Sequence, residues 1–155
     1  MSEARVYAVR NRVSKALNSS DAPGAGVLIS EADARVAVLA EQIENFVAGQ
    51  VAQLAMWAEQ PEASLFGGCQ AIAEPAMNIA EVAGAAEMDA VGAVARGICV
   101  MLDDLRRHGI WHTDALRVHL HALTLVQGQT SEQTSAGLRV VEELRCLRSS
   151  LGFTG

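Results

Sequence analysis

Four histidines fall within fourteen residues, at His108, His112, His119 and His121, and imidazole serves both metal binding and acid–base transfer. The spacing argues against one compact site. His119 and His121 are two apart, which on a helix sets them about 200° from each other, so they cannot hold one ion together. Around a helix beginning at Thr113, His119 falls among Leu116, Leu120, Leu123 and Val126, whereas His121 falls beside Asp114, Arg117 and Thr124. His119 is therefore expected to be semi-buried, its ring bonded to a neighbouring carbonyl or carboxylate. A partner-facing or phosphate-related role and a metal-ligand role are the alternatives. His108 and His112 flank Gly109 and are expected to cap or cover the break there.

The three cysteines, Cys69, Cys99 and Cys146, lack paired spacing. A nucleophilic thiolate needs a nearby base or a helix N-terminus. Neither stands beside Cys99 or Cys146, which read as small buried hydrophobes. Asp103 and Asp104 next to Arg106 and Arg107 read as a solvated terminal turn rather than an acid site. No G-x-S-x-G, P-loop, G-x-G-x-x-G, H-E-x-x-H or EF-hand pattern occurs. No catalytic residue, metal or cofactor is expected. Trp57 and Trp111 are the large anchors, and Trp111 is expected either to plug one end of the fold or to stand out as a contact residue.

The elements that must position these residues are helices. Alanine is abundant, aromatics make up 4% of the chain and proline occurs three times, a mixture that favours helix over strand. Val6, Val9, Val13 and Leu17 suggest a brief helix or arm, followed by a loop over Asn18 to Gly26. Ser30 with Asp33 resembles a capping box. From it Val36, Leu39, Ile43, Phe46, Gln50, Leu54 and Trp57 form a stripe that runs to Gln60. After Gly67 and Gly68, Ile72, Ala76, Ile79, Ala83 and Ala86 make a second stripe, with Pro75 at a first turn or as a kink. Asp89 is expected to cap a third helix, lined by Val91, Val94, Ile98, Leu102 and Leu105 and stopped at Gly109. Thr113 caps a fourth, with Asp114 in its first turn. Beyond a polar linker from Gly128 to Ser135, Leu138, Val141, Leu144, Leu147 or Arg148, and Leu151 mark a last helix, with Arg139 and Glu143 one turn apart outside.

The chain has 155 residues, 50% hydrophobic and 19% charged, enough for one core-forming domain. Its charge is uneven. Residues 1–20 carry Arg5, Arg10, Arg12 and Lys15 against Glu3 (+3). Residues 21–104 carry thirteen carboxylates against Arg35 and Arg96 (-11), and residues 105–155 carry +2. The net charge of -6 disfavours nucleic-acid binding. Glu87, Asp89, Arg96 and Asp103 interrupt the best apolar run, so no membrane span is expected. With unpaired cysteines and no signal-peptide pattern at the start, the expected location is the cytoplasm. Four or five amphipathic helices with short connections pack most simply as an antiparallel bundle. The expected fold is all-α, an antiparallel four-helix bundle over residues 27–155, with residues 1–26 as a basic arm or short helix and loop.

Two stretches resemble known families. Ala80-Glu81-Val82-Ala83-Gly84-Ala85-Ala86 resembles the signature helix of histidine phosphotransfer domains, four-helix bundles in which an accepting histidine opens a motif of the type H-x-L-K-G. Here Ala80 stands at the histidine position and Ala83 at the lysine position, so this helix is not expected to carry phosphate. Cys99-Val100-Met101-Leu102-Asp103-Asp104-Leu105, then Gly109-Ile110-Trp111, then Ala115 to Leu123 with Val118-His119 at its centre, resembles CheE-like bacterial chemotaxis-associated proteins. The basic opening Arg10-Asn11-Arg12-Val13-Ser14 is similar to that group as well.

The resemblance implies a non-catalytic accessory protein of two-component or chemotaxis signalling. It would dock a response-regulator receiver domain or a histidine kinase and modulate phosphotransfer. Trp111, His119, Ala80 and Gly84 are the expected contact residues. Two alternatives stand beside it: a phosphotransferase that uses His119, and a structural homodimer in which the Ala and Gly faces of helices 70 to 107 meet across a two-fold axis.

Overall fold

The computed structural model describes residues 25–128 and 134–153. The regular elements of the described residues are all helices, with no strand among them. The elements are α1 (Ala25–Ala58), α2 (Glu62–Gly67), α3 (Cys69–Val82), a 3-10 turn (Ala83–Ala86), α4 (Asp89–His108), α5 (Thr113–Gln127) and α6 (Thr134–Ser150). No described helix is long and apolar enough to cross a membrane.

The chain divides into two compact units, residues 1–38 and 39–155, a division that falls inside α1 rather than in the loop before it. In the first unit, residues 26–38 are helical and exposed throughout, Val27, Leu28, Ile29, Val36 and Val38 among them. Ser30 and Asp33 lie inside α1, so they do not form the helix start expected of them; the helix is already under way at Ala25. The expected arm and most of the loop before it lie outside the described residues, as does the centre of the linker after Gly128.

In the second unit α4 is the central element. It packs against α3, the 3-10 turn, α5 and α6, while α6 also meets α5. Its core face presents Val91, Val94, Ala95, Ile98, Met101 and Leu102. Val47, Val51 and Leu54 of α1, Ile72 and Ile79 of α3, and Leu116, Leu120 and Leu123 of α5 complete the same apolar cluster. Small residues set the closest approach. A Cβ on Gly92 would lie 3.2 Å from that of Ala83, and Ala76, Ala83 and Ala95 are fully buried. Ala76, Ala83, Gly92 and Ala95, which lie in the stretch that the homodimer alternative would set across a two-fold axis, are packed within this chain.

Helix ends follow local chemistry, with some departures from expectation. Gly109 adopts φ 69° and its N–H bonds the Leu105 carbonyl at 3.0 Å, the left-handed stop that the glycine predicts. Arg106, Arg107 and His108 fill the last turn of α4, where cations complement the helix dipole. Asp89 and Thr113 are first helical residues rather than caps, and neither preceding residue makes a side-chain capping bond. Pro75 lies inside α3, not in its first turn. The Gly67-Gly68 break holds a short helix on its N-terminal side, α2, that the apolar pattern did not reveal. Gly68 is required there because a Cβ would collide with the Trp57 ring and lie 2.9 Å from the Ser64 carbonyl oxygen.

Candidate functional site

His119 lies at the middle of α5 and is fully buried. Its Nδ1 is 2.8 Å from the Ala115 carbonyl oxygen and its Nε2 is 3.0 Å from Nη1 of Arg148 on α6. A carbonyl only accepts and a guanidinium only donates. Nδ1 therefore carries the proton and donates to Ala115, and Nε2 accepts from Arg148. The neutral imidazole satisfies both partners. Burial pushes His119 down from 6.5 to about 4; the Ala115 carbonyl pulls the other way, and the Arg148 charge adds to the fall.

Gly97 of α4 makes this pairing possible. A Cβ there would overlap Arg148 and stand 3.2 Å from Cδ2 of His119. Arg148 reaches the ring through the space a side chain would occupy. Gly97→Ala should therefore push the guanidinium off Nε2 and cost about 1–3 kcal/mol, the range for overpacking or an orphaned buried acceptor. Chemical denaturation of the variant checks this, and an unchanged midpoint would count against the contact.

These distances bear on the chemistry expected of His119. A phosphate acceptor needs an exposed nitrogen with a free lone pair, and here both nitrogens are engaged and the ring has no solvent-facing surface. Its role in the packed chain is to tie α5 to α6.

The other histidines are dispersed. His108 Nδ1 sits 3.0 Å from Oδ1 of Asp104, His112 meets Phe153 edge to face with centroids 5.7 Å apart, and His121 is exposed 3.8 Å from Glu59. No group of three potential metal ligands occurs among the described residues. Asp104 is only 4% exposed, which corrects the reading of Asp103 and Asp104 as a jointly solvated pair. Asp103 does face outward, bonded to Arg107 at 2.9 Å. Cys99 is half-buried and its thiol is pushed up by burial and by nearby Asp103 and Glu81; burial raises Cys69 as well. Cys146 is exposed rather than buried. On α6 the close ion pair is Glu142 with Arg145, at 2.6 Å.

Trp111, the largest residue of the α4–α5 corner, is half-buried. Its Nε1 donates to Oγ1 of Thr113 at 3.0 Å, and Phe66 of α2 meets its ring edge to face at 5.5 Å. Thr113 thus holds the indole instead of capping α5. Beside the indole opens a cleft of about 560 Å³, walled by Trp111, His112, Arg117 and Val118 on one side and by Leu147 and Leu151 on the other. Arg117 is fixed at its edge, donating to the Gln60 carbonyl at 2.9 Å.

Ala80 and Gly84 stand apart from the cleft. Ala80 is half-buried near the end of α3, its carbonyl 3.4 Å from Arg96, and Gly84 is exposed in the 3-10 turn. The stretch that resembles a phosphotransfer signature is thus where α3 gives way to a 3-10 turn. Of the four expected contact residues, only Trp111 lines the cleft; His119 is buried, and Ala80 and Gly84 lie at the junction of α3 and the 3-10 turn. The cleft itself was missed because its walls come from α5 and α6, and only the Trp111–Thr113 neighbourhood could have pointed to it. No family model, curated protein or solved structure matches the chain.

Proposed function

We propose that this chain is a non-catalytic helical protein that docks a signalling partner, a receiver domain or a histidine kinase, through the Trp111 cleft and so modulates phosphotransfer. On this reading the second unit works as an antiparallel four-helix bundle built on α3, α4, α5 and α6, and acts in the cytoplasm. The carrying observation is the cleft itself: an open concavity with a half-buried tryptophan at its wall and Val118 exposed beside it. Tryptophan in such a setting supplies large contact area with a polar handle. The residues that line the corner, Gly109-Ile110-Trp111 and the start of α5, are also those that resemble the chemotaxis-associated group. Ala80 and Gly84 would then flank a secondary contact and His119 would hold the docking helix in place.

A titration against purified receiver domains and histidine kinases of the same organism tests the proposal. With Trp57→Phe as background, Trp111 fluorescence reports occupancy of the cleft. Trp111→Ala should weaken binding by roughly thirty-fold, the effect of losing an interface anchor worth about 2 kcal/mol. Absence of any complex at about 50 μM, an affinity near -6 kcal/mol, overturns it.

A further inference from the structure

The end of α6 forms one wall of the Trp111 cleft, through Leu147 and Leu151, yet this helix has a thin hold on the core. Among its described residues Leu144 is the one buried apolar side chain, with Val140, Val141 and Leu147 half-buried. On α5, by contrast, Leu116, Leu120, Leu123 and Val126 are all buried. Elements that bury little apolar surface open ahead of the rest of a fold.

Polar and terminal contacts make up the difference, and they converge on Arg148. Its side chain crosses α4 at Gly97, where a Cβ would overlap it, and donates to Nε2 of His119 on α5 at 3.0 Å. Its carbonyl accepts from the backbone N–H groups of Leu151 and Phe153, both at 3.1 Å. Gly152 takes the left-handed conformation, φ 85°, that closes such a turn. Phe153, 5% exposed, then meets the His112 ring at the cleft. In the chain Arg148 lies between the two wall residues, directly after Leu147 and one turn before Leu151. With its side chain off Nε2, Phe153 would be left to hold the end of α6.

We infer that Arg148 is a positioning residue for the cleft: its bond to His119 holds the wall of Leu147 and Leu151 opposite Trp111, and release of that bond lets the wall move away. Neither Arg148 nor His119 lines the cleft, so both act through the residues that do. The latched form is the one with two walls, and it is the form that a docking partner meets. That consequence for docking rests on the function proposed above, whereas the latch itself needs no partner.

Acrylamide quenching of Trp111 tests the latch with no partner present, so its failure is distinct from a failure to find a complex. In the full-length Trp57→Phe background at pH 7, Arg148→Met should raise the quenching constant about three-fold, as local opening of α6 bares the indole. His119→Ala should do the same. The double variant should go no further than either single one, because both remove one bond. Ile79→Val, a truncation in the buried face of α3, should lower stability and leave the constant at its parent value. An unchanged constant in Arg148→Met overturns the latch, as does an equal rise in Ile79→Val or an additive effect in the double variant. Should Arg148→Met fail to fold, Gly97→Ala displaces the guanidinium from the side of α4 and should give the same rise. No rise there overturns the proposal as well.

Discussion

Lowering the pH from 7 to 4 should remove about 3 kcal/mol of stability through His119 alone. The folded-state value near 4 lies below the ordinary 6.5, so between these limits the unfolded chain binds the proton that the folded chain refuses. The contribution is complete above pH 6.5, declines as the pH falls toward 4 and is flat below that. The cause is local. A proton on Nε2 would replace an accepted hydrogen bond with two donors facing each other, His119 and Arg148, where the ring has no solvent exposure. Urea denaturation at pH 7, 6, 5 and 4 measures the slope, and His119→Asn, which cannot titrate, serves as reference. Carboxylates that protonate over the same range are common to both proteins and cancel in the difference. Parallel curves for wild type and variant would show that the ring titrates as if exposed.

Ile98→Ala should be about as damaging, at about 2–5 kcal/mol. Ile98 is fully buried on α4, the one helix that packs against α3, α5 and α6 together. Truncation there leaves a cavity walled by several elements, none of which can collapse into it without losing its other contacts. Leu125→Ala on α5 removes a side chain that is 59% exposed and should shift stability by no more than about 0.5 kcal/mol. The comparison is made by the same urea titration at pH 7. A small effect at Ile98 would mean that α4 is not the centre of the core.

Much of the helical layout is legible in the residues. The stripes through Ile72, Ile98, Leu116 and Leu144 mark α3 to α6 because burial of an apolar face imposes a 3.6-residue period. Gly109 marks a stop because its left-handed backbone suits glycine. The angular position of His119 among leucines likewise foretold an inward ring. Less legible were α2, too short at six residues to show a period, and the start of α1, where a plausible cap at Ser30 proved to be interior.

What the sequence determined by itself is local: which residues form helices, where glycine ends one, and which face of each helix is apolar. Those properties depend on neighbours three and four positions away. The tertiary structure alone decided that α4 is central, that Asp104 is buried while Asp103 is half-exposed, and that Trp111 walls a cleft shared by α5 and α6. It also decided that Arg148, twenty-nine positions from His119, completes the imidazole's bonding. That last pairing needs a guanidinium from one helix, a ring from another and the missing side chain of Gly97 on a third. Each of the three residues has an ordinary local reading, and only packing brings them within bonding distance.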